Sequence, residues 1–316
     1  MATTSTDTYD MVGIREDLSN IIYNVDKTQT PFLSMAPKTT AKNTYHEWQT
    51  DSYAAVADNK AVEGADATFT AAASTTRLGN YTQIGTKQVA ISGTHSKSNT
   101  AGRANEMNYQ IMKAGIELKH DMENALVGLN NAQVAGNATT ARELGSILSY
   151  IATNDILGVA GSPASPTGDG TDARTDGTQR TFTEAILESC IDLIFASTGG
   201  SADCIMMGSW TKRLMNAFLG HATTTDHQAT ANSIINAVDL YKSDFGTMKI
   251  FPNTYSRGRD VLVYQKDMWA VAFYRQMKVG DIAKIGDADR KQIVVEYTLE
   301  ARNEASSGLV ADLSTS

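Results

Sequence analysis

The chain is poor in the residues that usually announce a chemistry. Of its 316 residues only two are cysteine, Cys190 and Cys204. That excludes a disulfide scaffold, and both read as free buried thiols suited to a reducing compartment. No apolar run approaches the ~20 residues of a membrane span, and the opening "MATTSTDTYD" has neither the basic nor the apolar part of a secretory leader. The expectation is a protein made in a cytosol, with no membrane contact. Positive charge is also scarce: the formal net charge is −8, and no basic stripe exists to read or track nucleic acid. An acidic balance keeps DNA from adhering to a surface beside it. Trp48, Trp210 and Trp269 stand alone without interleaved basic residues, which removes the stacking platform of a single-strand binder.

Catalytic and cofactor motifs are missing too. The chain has no phosphate-binding loop, dinucleotide glycine fingerprint, nucleophile elbow, HExxH or paired CxxC. His221, Asp226 and His227 share "GHATTTDH" and are the residues a metal-dependent hydrolase reading would use; a polar loop is the simpler reading. In "DARTDGTQRTFT", Asp172, Asp176 and Gly177 sit at calcium-loop positions, but position 12 is Thr183 where a bidentate carboxylate is needed. Glu296 and Glu300 lie on one strand face and read as solvated, with no cleft for a carboxylate pair. The expectation is no enzyme, no cofactor and no metal.

What the chain does contain is pattern. After a polar start, Ile14, Leu18, Ile21, Ile22 and Val25 recur at helical spacing. Pro31 is expected to end that run, because proline disfavours the α region at Thr30. "NTYHEWQTD" and "RLGNYTQIGTKQVAISGTH" read as the two strands of a long hairpin with a small, polar tip, which buries little alone and needs another surface. The region from 102 to 129 repeats Met107, Ile111, Ala114, Leu118 and Met122 at steps of three and four, predicting a long helix of ~40 Å. Glu117, Lys119, Asp121 and Glu123 fall on its expected solvent face. Residues 130–180 read as loop with a possible helix at 141–151. A helix is predicted over "TFTEAILESCIDLIFASTGG", capped by Thr183, then a strand in "ADCIMMGS" and a helix opened by Ser209. Strands follow at 248–251, 260–265 and 269–274. In "KQIVVEYTLEARN", Ile293, Val295, Tyr297, Leu299 and Ala301 alternate as in a half-buried strand, with "SSGLVADLS" as its expected partner.

This order of parts resembles the HK97-fold major capsid protein of tailed bacteriophages, of podophage or siphophage type. The likeness rests on Asp26, Thr30, Pro31 and Phe32 followed by Glu47, Trp48 and Asp51, on "SDFGTMKIFPNTY", and on the closing segment from "KVGDIAKIGDADRKQIVVEYTLEARN" onward. The resemblance implies an α+β fold with an N-terminal arm (1–45), an extended loop (46–100), a peripheral domain with a long spine helix (101–143), an axial domain (144–276) and a return to the peripheral sheet (277–316). It implies a virion shell subunit that self-assembles as hexamers and pentamers in the host cytoplasm and encloses double-stranded DNA without reading its sequence. Its partners would be further copies, a separate scaffolding protein, a portal protein and a decoration protein. The alternative within the fold is an encapsulin-like bacterial compartment shell. Ile21, Ile22, Phe32, Leu33 and Trp48 are the candidate contacts across subunit boundaries. For Phe32 the expectation is sharp: it should be left exposed by its own chain and covered by a neighbour.

Overall fold

The structure is a computed structural model and describes residues 29–67, 69, 71, 74–98, 105–162, 164–198, 202–218 and 240–315. Ile21 and Ile22 lie outside the described residues, as do His221, Asp226 and His227.

The first element is a short helix, α1 (Pro31–Met35). The run that Pro31 was expected to end lies outside the described residues. Pro31 opens this helix, with Thr30 before it outside the helical region. Its fixed φ and missing N–H suit the first helical position, where that N–H would have no partner. Pro37 stops the helix by holding Ala36 extended. Next come β1 (Lys38–Thr40), β2 (Tyr45–Thr50), β3 (Thr76–Tyr81) and β4 (Gln83–Ser92), then one helical turn, α2 (Gly93–Lys97). β2 and β3 form a two-stranded antiparallel ribbon from Tyr45↔Tyr81 to Thr50↔Thr76. The expected hairpin strand is therefore split. Its second half, β4, leaves the ribbon and pairs with another part of the chain.

The long helix is α3 (Glu106–Glu123), continued by a wider π turn over Asn124–Gly128. The Asn105 side chain caps it by accepting from the Asn108 amide at 3.1 Å. Ala114, Leu118 and Met122, four apart, bury one face. Gly128 closes the turn where a Cβ would strike the Tyr255 carbonyl. The expected helix at 141–151 shrinks to a 3-10 turn, Ile147–Ser149. The rest of the chain supplies β5 (Asp155–Ile156), α4 (Glu184–Thr198), β6 (Cys204–Met207), α5 (Ser209–Met215), β7 (Leu240–Ser243), β8 (Gly246–Pro252), β9 (Val261–Tyr264), β10 (Trp269–Ile282), β11 (Ala288–Ala301) and β12 (Gly308–Val310).

Two larger sheets organise these parts. One has the order β1-β10-β11-β4, and the other β5-β12-β9-β6-β8-β7. Period-two alternation explains how the second sheet builds two cores. Cys204 and Met206 of β6, with Leu262 and Tyr264 of β9, face the cluster shared with α1, α3 and the four-stranded sheet. Ile205, Met207, Val261 and Val263 face a second cluster under α4 and α5. Both strands are buried on both faces, hence their unbroken apolar runs.

The return of the chain differs from expectation in two places. The division placed between 276 and 277 falls inside the single strand β10. β12 was expected beside β11, but it joins the six-stranded sheet between β5 and β9. On β11, Ile293, Val295, Tyr297, Leu299 and Ala301 do face the core. The opposite face is covered as well: Glu296 and Thr298 are buried, so Glu296 is not on a solvated face.

Candidate functional site

The feature that asks for a function is the loop between β2 and β3. Tyr53, Val56, Val62 and Phe69 are fully exposed there, in a segment with little regular structure. Four large apolar side chains in water on one segment mark an interaction surface more than a solvent-facing loop.

The root of the loop is held firmly. Asn80, fully buried, donates through Nδ2 to the Gly145 carbonyl at 3.1 Å and the Leu299 carbonyl at 3.0 Å. Its Oδ1 accepts from the Gly145 amide at 2.8 Å. Tyr150 donates its hydroxyl to the Gly79 carbonyl at 3.0 Å, and Thr298 donates to the Tyr81 carbonyl at 2.9 Å. Beneath them Glu296 accepts from Thr82 Oγ1 at 2.8 Å and from Arg275 Nε at 2.8 Å, and also pairs with Arg142. A buried carboxylate with two guanidinium partners and a hydroxyl is satisfied rather than reactive.

Trp48 stands where root becomes loop. It is half-buried and leans on its own core, with its ring 6.0 Å from Tyr150 and 5.9 Å from His46. Its Nε1 is buried with no hydrogen-bond partner.

Phe32 and Leu33 are 1% and 7% exposed within their own chain. The expected anchors on a neighbour are therefore corrected: both residues complete the shared core of their own subunit. The Phe32 ring lies 5.9 Å from that of Tyr264. The helix that carries them is pinned by Glu123, which sequence periodicity put in solvent. Its carboxylate is buried and accepts from the Phe32 and Leu33 amides at 2.8 Å each and from Asn253 Nδ2 at 2.7 Å. Burial pushes its pKa up, and these hydrogen bonds oppose that shift. No local signal in the sequence marks Glu123, because its partners come from two distant segments.

Among the described residues no group of His, Cys, Asp and Glu is placed to hold a metal ion. Asp176 of the calcium-like turn is engaged by Arg257 and Arg259, which hold its carboxyl below the usual range. Asp172 accepts from Thr167. Cys190 and Cys204 are free and buried, and burial pushes both thiols up to about 12, so neither offers a thiolate. Among the described residues no helix is long and apolar enough to cross a membrane.

The root of the loop is thus locked by buried hydrogen bonds, while its large apolar side chains stay exposed. A family model described as the SU10 major capsid protein matches residues 2–314. This chain belongs to the SU10 major capsid protein family. It is 28% identical over 336 residues to the major capsid protein of Escherichia phage Phieco32, covering 96% of this chain and 95% of that one.

Solved capsid structures share the fold at low identity. A chain from the capsid of a native GTA particle aligns with TM-score 0.63 at 12% identity, covering 97% of this chain and 98% of its own length. One from the Cyanophage A-1(L) capsid aligns at 0.62 and 11%, covering 98% and 99%. One from Gordonia phage Cozz aligns at 0.60 and 10%, covering 100% and 98%. The fold is thus the HK97-like α+β capsid fold. The capsid protein is a structural, non-enzymatic subunit of a phage head shell, which assembles from many copies and resides in the virion capsid. The compartment-shell alternative is not favoured by these relatives.

Proposed function

We propose that the loop over residues 51–75 lies on a neighbouring subunit and that this contact joins subunits into the hexamers and pentamers of the shell. The observation that carries the proposal is the contrast within one segment: Tyr53, Val56, Val62 and Phe69 are fully exposed, while the root at Gly79, Asn80 and Thr82 is bonded into the core. A rigid base with apolar residues beyond it delivers the same side chains to the same place on each copy, and many weak contacts then reinforce one another. Trp48 at the base, and Ile21 and Ile22 in the arm, are further contact candidates.

The shell so formed encloses packaged double-stranded DNA, and the chain's net charge of −8 suits a wall that confines DNA without gripping it. A separate scaffolding protein, a portal protein and a decoration protein are the proposed partners. Assembly in the host cytoplasm fits the two free thiols. In this reading α3 and the four-stranded sheet form the peripheral domain, and the six-stranded sheet forms the axial domain.

The test changes Tyr53, Val56, Val62 and Phe69 together to serine and coexpresses the variant with the scaffolding protein of its phage. Sedimentation and negative-stain microscopy should find folded subunits and no closed shells. Closed shells in wild-type yield would overturn the loop's role.

A further inference from the structure

The four-stranded sheet has a face turned away from α3. Ile293 and Val295 of β11 enter the core with Leu118 of α3, and alternation puts Gln292 and Val294 on the other side. Along this sheet β10 and β11 fall out of register twice, between Phe273 and Arg275 and between Arg275 and Lys278. Each slip places an extra residue on β10, and such bulges bend a strand and re-aim its side chains. An open groove of about 670 Å³ results, lined by Met277, Gly280, Ile282 and Val294 together with Arg275 and Lys278. A Cβ added at Gly280 would meet no atom within 4 Å, and Ile282 is 38% exposed.

The charge around the groove selects its occupant. Lys278, and Arg290 opposite Ile282 in register, have no carboxylate partner among the described residues. Arg275 shares the buried Glu296 with Arg142 and keeps its own side chain half exposed. Two copies of this face would set like charges against one another, which disfavours their meeting. The fitting occupant brings carboxylates and apolar side chains together. The loop over residues 51–75 does so: Asp51, Asp58, Glu63 and Asp66 outnumber Lys60, and Tyr53, Val56, Val62 and Phe69 stand exposed among them. The outer face of α4 also joins acidic residues to apolar ones, but its Leu193 and Phe195 are each under half exposed.

We propose that the β10–β11 groove of one subunit receives the loop 51–75 of a neighbouring copy. The loop's apolar side chains lie against Met277, Ile282 and Val294, and its carboxylates face Arg275, Lys278 and Arg290. The inference rests on the loop contact proposed above and adds the surface that the loop meets. Loop and groove are different patches of one chain, so each copy gives one contact and receives one, as a closed ring requires.

Two experiments test it. Gly280→Phe adds bulk to the groove where the subunit has open space. The unassembled variant should melt with wild type. Coexpressed with the scaffolding protein, its closed-shell yield should fall about ten-fold, because every loop contact is weakened at once. The second experiment combines Gly280→Cys in turn with Tyr53→Cys, Val56→Cys, Val62→Cys and Phe69→Cys. Cys190 and Cys204 stay silent, since both thiols are buried and pushed up to about 12. Dibromobimane, which bridges neighbouring thiols, should convert the shells of at least one double variant into a covalent ladder of subunits. Wild-type shell yield from Gly280→Phe, or no ladder from any double variant, would overturn the proposal. A ladder from Gly280→Cys alone would show the groove facing another groove and would overturn it too. The four-serine variant above keeps the two claims apart. If that variant forms no shells while Gly280→Phe forms them normally, the groove assignment fails and the loop contact stands. If both form shells in wild-type yield, both fail.

Discussion

Glu123 holds the backbone of Phe32 across 91 positions of chain, its Oε1 accepting the Phe32 amide at 2.8 Å. The bond joins the end of the long helix to the first described turn of the chain. No guanidinium or ammonium approaches this carboxylate within ion-pairing distance among the described residues, so it depends on three N–H donors from Phe32, Leu33 and Asn253.

Removing that acceptor leaves buried donors without a partner, at about 1–3 kcal/mol for each group. Glu123→Ala should therefore destabilise the unassembled subunit by roughly 2–4 kcal/mol after local relaxation. Thermal denaturation of variant and wild type at neutral pH measures this. An unchanged melting temperature would mean that α1 does not need its pin.

Phe32 supplies a separate test, because its burial is intramolecular. Phe32→Ala should cost the unassembled subunit about 3–5 kcal/mol through lost contacts and a residual cavity. A side chain that packed only across a subunit boundary would leave the lone subunit's stability untouched, so denaturant titration separates the two cases.

Root and tip of the extended loop should respond in opposite ways. Asn80→Ala strands the Gly145 amide and two carbonyls, and should lower subunit stability by about 2–3 kcal/mol. Phe69→Ser at the tip should change it by no more than about 0.5 kcal/mol, because Phe69 is fully exposed. Comparable losses for both would show that the tip packs on its own chain.

Glu300 should lend the fold a pH dependence in acid. His46 at 3.4 Å, with Arg302 and Thr39 at 3.0 Å each, holds its carboxyl at about 2 against an ordinary 4.5. Between those values the unfolded chain binds more protons, so stability falls as the pH drops. The stabilisation is fully present above pH 4.5 and lost on the way to about pH 2. The gap in melting temperature between wild type and Glu300→Gln should narrow over that window, and a constant gap would contradict the pairing.

Asp260 should act with the opposite sign. Burial pushes its carboxyl up from 3.8 to about 6, although Arg257 lies 3.1 Å away and opposes the shift. Here the folded chain binds more protons, so the group's contribution is present below 3.8 and lost as the pH rises through about 6. Relative to Asp260→Asn, the wild type should lose melting temperature across that interval. A flat difference would place the Asp260 carboxyl in its ordinary range.

Much of the architecture is written in local periodicity. Spacing at three and four marked α3, alternation marked the buried face of β11, and an unbroken apolar run marked β6. Each signal depends on residues a few positions apart that share a face whatever the rest of the chain does. The arm and closing motifs also placed the chain in its capsid family. The same local rules misplaced Glu123 and Glu296. Each looked like a polar residue on a solvent face, and each is buried because distant segments bring it donors: Phe32 and Leu33 for one, Thr82, Arg142 and Arg275 for the other.

The sequence by itself determined the long helix, most of the strands and the family, because side-chain spacing and motif identity are properties of short stretches. Only the tertiary structure decided that Phe32 belongs to its own subunit's core, that β12 joins the six-stranded sheet, and that Pro31 begins a helix. Those outcomes depend on which remote strand edge, apolar surface or hydrogen-bond acceptor is left to be satisfied once the other elements have packed, and no short stretch carries that information.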